Sequence, residues 1–224
     1  TRKIWEIPFR SYSRSRPAER ICDKEAVWQP FINGADGVQW IEPLREVVRW
    51  GPFGLPLKEL KSQRWRRDVW AVSTEPHFFC SGVAFAQIGA KFSARAHRYA
   101  SVIGNKGSSV YVDDVAAAAC LMNSSVSRFV LESLNPGVGF EVGDVNRLPM
   151  FPTSGAVDIY SVLESAFDEH ERGREPSAEF MAPQPSPWMA AKLWAHKAVD
   201  RSARGPIPAF APTYERVPSA AQVS

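Results

Sequence analysis

The feature that most constrains the fold of this chain is a change of character near residue 112. Before it, β-prone runs are short and punctuated by glycine and proline. "VWQPFI" (27–32) reads as a strand, "NGADG" (33–37) as a turn with two sites for positive φ, and "VQW" (38–40) as a returning strand. "IWEIPF" (4–9) reads as a short edge strand, because Pro8 cannot donate to a sheet ladder. "EPLREVVRW" (42–50) spaces Leu44, Val47 and Val48 as on a short helix, and "KELKSQRWRRDVW" (58–70) reads as a loop or frayed helix. The run 69–112 breaks into several short strands at glycine-marked turns.

After residue 112 the spacing becomes helical. "VDDVAAAACLMNSSVSRFVLESLN" (112–135) predicts two helices broken at Asn123-Ser124-Ser125. Ser124 or Ser125 caps the second, Asn135-Pro136-Gly137 ends it, and Asp113 or Asp114 caps the first. Leu121, Phe129, Val130 and Leu134 form its expected core stripe. "VGFEVGDVNRLPMFP" reads as a strand with an extended exit. Residues 154–175 read as an amphipathic helix with Ile159, Val162, Leu163 and Phe167 on one face. Residues 186–205 read as a further helix, with Ser186 as cap and Pro187 at its first position. The expected class is α+β: a mixed or antiparallel sheet from 26–112 and about 138–148, packed with three to four helices, before a Pro-rich tail. With 45% apolar residues such a chain can bury a core, and no apolar run approaches the ~20 residues of a membrane span. Cys22, Cys80 and Cys120 are odd in number and widely spaced, which suits a reduced, cytoplasmic setting. The chain starts without Met and ends without a helix stop, as expected of a piece of a longer protein.

Charge divides the same way. Residues 1–110 hold 18 Lys and Arg against 10 Asp and Glu, net +8; residues 111–224 hold 9 against 14, net −5. A basic half beside an acidic half suggests a face for a polyanion, although charge blocks are commonly just solvated. The basic groups are interleaved with small and aromatic residues. Lys61, Arg64, Arg66 and Arg67 surround Trp65. Lys91, Arg95 and Arg98 surround Ser93 and His97. Asn105, Lys106, Ser108 and Ser109 ride on a glycine-flexed turn. Long cations neutralise phosphate, Arg forks suit guanine, and Asn suits adenine. A solvated hairpin surface is the simpler alternative. Catalytic patterns are weak: His77, His97, His170 and His196 lack metal spacing, Glu164, Asp168, Glu169 and Glu171 read as a solvated helix face, and no phosphate loop ends in Lys-Ser/Thr.

The order of phrases resembles a known group. "WQPFINGADGVQWIEPLREVVRW", "GVAFAQIGAKFSARAHRYASVIGNKGSSVY" and "LMNSSVSRFVLESLNP…FEVGDVNRLP" are similar to the C-terminal target-recognition region of large adenine-specific DNA methyltransferases. These serve type IIG/IIL restriction-modification and the BREX and DISARM phage-defence systems; "DEHERGREPSAEFMAPQPSPWMAAKLWAHKAVDR" looks closest to the DISARM type. The likeness runs over roughly 26–217. It implies an N-terminal linker or edge segment (1–25), a DNA target-recognition domain (26–153), a C-terminal helical segment (154–205) and an extended tail (206–224).

It also implies sequence-specific recognition of double-stranded DNA for N6-adenine methylation. The DNA contacts would be Arg64, Arg66, Arg67, Lys91, Ser93, Arg95, Arg98, Asn105, Lys106 and Ser108. The partners would be the N-terminal methyltransferase domain of the same chain and other defence-system subunits, with no membrane. S-adenosylmethionine would serve the parent enzyme and not this part. "NPGV" (135–138) and "EPHF" (75–78) depart from the (Asn/Asp)-Pro-Pro-(aromatic) loop that handles a flipped adenine, and no Phe-x-Gly-x-Gly motif is present. Without those loops this part alone is expected to transfer no methyl group. Two other readings stay open: an interaction scaffold docking through its acidic helical half, and a hydrolase assembled around Cys80 or His97.

Overall fold

The computed structural model describes residues 1–17, 26–34, 37–65, 74–89, 91–137 and 139–183. The expected helix over 186–205, the tail from 206, Cys22, His196, Arg66 and Arg67 lie outside the described residues. The class is α+β. The strands are β1 (Arg2–Lys3), β2 (Trp28–Ile32), β3 (Trp40–Ile41), β4 (Glu46–Arg49), β5 (Val83–Phe85), β6 (Ala94–Ala96), β7 (Val102–Ile103) and β8 (Ser109–Val110). The helices are α1 (Leu55–Trp65), α2 (Val115–Met122), α3 (Ser125–Leu134), α4 (Val142–Val145) and α5 (Ala156–Gly173). Two mixed sheets form, in the orders β1-β4-β2-β7 and β3-β6-β5-β8. The parallel pairs are β2 with β7 and β3 with β6; the other pairs are antiparallel.

Pro30 is tolerated inside β2 because pairing changes partner there. Residues 28–30 pair with β4, and 31–32 pair with β7. The missing N–H therefore falls where the ladder passes from one neighbour to the other. β4 replaces the short helix expected over 42–50. Val47 packs with Ile4, Tyr12, Leu44 and Tyr99, while Val48 packs on the opposite face with Trp50, Phe78 and Val102. A strand buried on both faces loses its alternation, and its apolar spacing then imitates a helix.

The main core lies between the second sheet and the helices. It joins Val83, Phe85, Phe92, Ala94 and Ala96 to Ala118, Ala119, Met122, Leu131, Phe140, Val145 and Leu148. Alanine on both the strand and the facing helix lets α2 lie close over β6. Asp114 caps α2 through Ala117 N–H at 2.8 Å, and Ser124 caps α3 through Ser127 N–H at 3.1 Å. Each satisfies one of the orphan donors at a helix start. Asn123, between the helices, does further service. Its side chain accepts from Ala94 N–H at 3.1 Å and donates to Ala94 C=O at 2.9 Å, replacing the strand partner that β6 lacks at that position.

Several expectations are corrected. "IWEIPF" forms a 3₁₀ turn over Ile4–Glu6, with only Arg2–Lys3 pairing before it. The strand expected near 138–148 is a single bridge, Gly139 to Ile88, followed by α4; Val145 and Leu148, three apart, turn into the core at helical spacing. In α3 the inward residues are Ser127, Val130 and Leu131, whereas Phe129 and Leu134 are exposed. In α5 the inward face carries Ala156, Tyr160, Leu163 and Phe167, leaving Ile159 and Val162 outside. α5 packs directly along α2. Cys80 and Cys120 are free thiols. Among the described residues no helix is long and apolar enough to cross a membrane.

Candidate nucleic-acid interface

β6 is the central strand of its sheet, with β3 on one side and β5 on the other. That position decides the fate of the "FSARAHR" cations. Ala94 and Ala96 face the core, and Arg95 faces the other side, where its guanidinium is fully buried. Its Nε donates to the Glu42 carboxylate, and its Nη2 donates to the Gly34 carbonyl at 2.7 Å. Arg98, only 4% exposed, is held by three carboxylates. Nε donates to Glu179 at 2.6 Å, Nη2 to Asp168 and Glu179 at 2.5 Å each, and Nη1 lies 3.7 Å from Glu164. The guanidinium also lies 5.1 Å from the centre of the Phe167 ring. Burial opposes charge on Glu179, yet hydrogen bonds from Arg98 and Tyr99 outweigh it and hold that carboxyl below its usual range. Tyr99 is pushed up, first by burial and then by its bond to Glu179.

Arg95, Arg98 and Ser93, three of the expected DNA contacts, lie away from solvent in this structure. Both arginines are already committed to carboxylates or carbonyls of their own chain. Glu164 and Asp168, read as a solvated helix face, instead take part in the Arg98 cluster; Glu171 is buried and paired with Arg174 at 2.6 Å.

The remaining described candidates do reach solvent. Asn105, Lys106, Lys91 and Arg64 are exposed, and Ser108 is half-buried. Strand register gathers four of the five. β8 runs antiparallel to β5, so residues just before β8 meet those just after β5. Phe85 N–H donates to Ser108 C=O at 2.8 Å, and the Gln87 amide donates to Ser108 Oγ at 2.7 Å. The 104–108 turn, residues 86–89 after β5 and Lys91 before β6 therefore share one end of the sheet. Glycine is required in the turn. A Cβ on Gly107 would sit 2.4 Å from Ile32 C=O, and one on Gly104 would sit 2.5 Å from Asn33 Oδ1. Gly104 N–H closes the contact by donating to Ile32 C=O at 2.7 Å. The outcome is a fixed turn presenting Asn105 and Lys106 outward, with exposed Ile88 and Lys91 on the neighbouring loop.

α1 follows the Pro52–Gly54 turn and packs against it, and its Leu57 joins the cluster of Val48, Trp50, Phe78 and Val102. Lys58 pairs with Glu75 at 2.7 Å, while Lys61 is half-buried and Arg64 exposed.

His97 adds a clamp. A carbonyl only accepts, so Nδ1–H donates to Cys80 C=O at 3.0 Å and Nε2 accepts from the Ser109 hydroxyl at 3.0 Å. Burial lowers the imidazole pKa to about 4, with Arg95 adding to the effect and the Cys80 bond opposing it. The pair resembles a serine–histidine dyad in distance only. Gly82 fills the adjoining space so closely that a Cβ there would lie 2.7 Å from Val110 C=O and 3.2 Å from both His97 and Tyr111. The clamp ties β6 and β8 to the Cys80–Gly82 segment. Among the described residues no cluster of His, Cys, Asp or Glu could hold a metal ion.

Sequence reasoning missed the acidic partners Glu42 and Glu179. Its one usable signal was the alternation Ala-Arg-Ala, which marks Arg95 as an inward residue of a central strand. Comparison with models of known protein families and with curated proteins gives no match.

Proposed function

We propose that this chain is the part of a site-specific adenine-N6 DNA methyltransferase that reads double-stranded DNA, acting in a bacterial restriction or phage-defence system. The observation that carries the reading is the sheet end formed by Asn105, Lys106, Ser108 and Lys91. Two exposed ammonium groups suit phosphates, and the Asn105 amide has the donor and acceptor that adenine's major-groove edge requires. The turn is fixed by its glycine contacts, so little order is lost when it meets a duplex. The phrase order shared with the methyltransferase target-recognition regions supports the same function. S-adenosylmethionine would serve the methyltransferase part of the parent enzyme; neither loop that handles it or the target base is spelled in this sequence, and no methyl-transfer step is assigned here.

The test is anisotropy binding of the full chain to a mixed-sequence duplex over a salt series. Lys106→Ala and Lys91→Ala should each weaken binding to all sequences and flatten the log–log salt slope by about 1. Asn105→Ala should leave that slope alone and alter preference among sites. Salt-independent binding, or wild-type slopes in both lysine variants, refutes the proposal.

A second reading, an interaction scaffold, is favoured by apolar side chains on the outer faces of α3 and α5: Val126, Phe129, Val157 and Val162 are all more than 60% exposed. It is compatible with DNA reading if those faces meet the methyltransferase part of the same chain.

A further inference from the structure

The sequence "WGPFGLP" (50–56) makes a loop whose backbone is left-handed at three of four successive positions. Gly51 has φ 58°, Phe53 φ 53° and ψ 26°, and Gly54 φ 73°. Glycine enters that region freely, but a phenylalanine does not. The base of the loop is fixed. Trp50 is buried and meets Phe78 and Phe79 edge-on at 5.5 and 5.8 Å. Gly54 lies so close to the Trp50 indole that a Cβ would be 2.7 Å from it. The Phe53 ring, by contrast, is 77% exposed. The fold therefore holds a large aromatic in a costly backbone conformation and draws almost no packing from it. Strain retained without a packing return marks a functional position. Helix α1 begins at the next residue but one and carries half-buried Lys61 and exposed Arg64.

We propose that Phe53 is an aromatic wedge that enters an unstacked base step of double-stranded DNA while the α1 cations hold the flanking phosphates. This rests on the DNA-reading function proposed above and specifies how the bases are engaged. Apolar wedges of this kind stack on an exposed base face or fill the gap left by a displaced nucleotide, and a rigid loop delivers them without further ordering. The cations carried by the helix that follows the loop favour a polyanion over an apolar protein surface as the occupant.

The experiment compares the full chain on two probes, an intact mixed-sequence duplex and the same duplex with one abasic site. Wild type should bind the abasic duplex about five-fold or more tightly, the smallest effect expected of one base–aromatic stack. Phe53→Ala should lose that preference with the salt slope unchanged, since the ring neutralises no phosphate. Phe53→Trp should retain it. Equal preference in wild type and Phe53→Ala, with salt-dependent binding intact, overturns the wedge and leaves the DNA-reading function standing. Absence of duplex binding in wild type overturns both. Loss of a protein partner in Phe53→Ala with unchanged abasic preference assigns the ring to a protein interface and also overturns the wedge. Folding is checked by Phe53→Gly, which suits the left-handed backbone and should melt no lower than wild type.

Discussion

Acidification should unfold this chain through one side chain, His97. The folded protein holds its imidazole neutral, with a pKa near 4 against the ordinary 6.5, chiefly because it is buried. Arg95 adds to this by repelling a second positive charge, while the bond to the Cys80 carbonyl opposes it without outweighing burial. Around the ring, the Ser109 hydroxyl donates to Nε2 and Tyr111 lies edge-on at 6.1 Å with His77 stacked behind it. Below pH 6.5 the unfolded chain binds a proton that the folded chain refuses, so stability is complete above that pH and falls as pH drops toward 4. The linkage relation gives a loss of about 2 kcal/mol by pH 5 and about 3 kcal/mol by pH 4. Below about pH 4.5 Glu179 joins in. Its carboxyl is depressed in the fold, so the stability it contributes is present above the unfolded value and lost as pH falls through the folded one. The window from pH 6.5 to 5 therefore isolates the histidine. The assay is urea unfolding at half-unit pH steps, in wild type and in His97→Gln, whose neutral amide can still donate to Cys80 C=O. Wild-type stability should fall by about 2 kcal/mol more than the variant's across that window. Parallel curves would show that His97 is protonated as readily in the fold as out of it, and the clamp would be misassigned.

Other expectations are simpler. Arg98→Met removes the cation among Glu164, Asp168 and Glu179 and should cost about 3–5 kcal/mol in chemical denaturation at pH 7, the range for breaking a buried ion pair. Leu131→Ala should cost about 2–5 kcal/mol, because this side chain is fully buried in the main core. Phe129→Ala, on the exposed face of the same helix, should stay within about 0.5 kcal/mol. Phe53→Gly should raise stability by about 1 kcal/mol by relieving the left-handed backbone.

The helical half was the more legible in sequence because its signals are local. The break at Asn123-Ser124, the Ser124 and Asp114 caps and the stop at Asn135 each depend on a few adjacent residues. What local spacing could not fix was rotation. Val126, Phe129 and Leu134 carry as much apolar surface as Val130 and Leu131, and only the neighbours α2 and α4 decide which set turns inward. β4 failed for a related reason: two separate cores, one on each side of a single strand, erase the alternation that identifies strands. The candidate interface was legible where glycine dictated it. The 104–107 turn needs Gly107, which lies against the Ile32 backbone, and the turn leaves Asn105 and Lys106 outside. It was illegible at Arg95 and Arg98, whose carboxylate partners lie 53 and 81 residues away.

That distance changes what a mutational survey of the basic residues can reveal. Arg95 and Arg98 lie in or just beyond β6, and through Glu42, Asp168 and Glu179 they tie this strand to the segment before β4, to α5 and to the chain beyond it. The same strand forms one arm of the hairpin whose loop carries Lys91, while its partner β5 fixes the 104–108 turn through Ser108. Removing either arginine would thus weaken DNA binding by loosening the scaffold of both loops, and the defect would mimic a lost contact. Its signature differs. A scaffold defect lowers stability by several kcal/mol and leaves the salt slope of the folded fraction unchanged, whereas a lost phosphate contact flattens the slope by about 1 at constant stability. Arg95→Met and Lys106→Ala, measured side by side for both quantities, should fall on opposite sides of that division. If Arg95→Met instead flattens the slope with no loss of stability, its guanidinium reaches DNA, and the inward placement that organises this account of β6 is wrong.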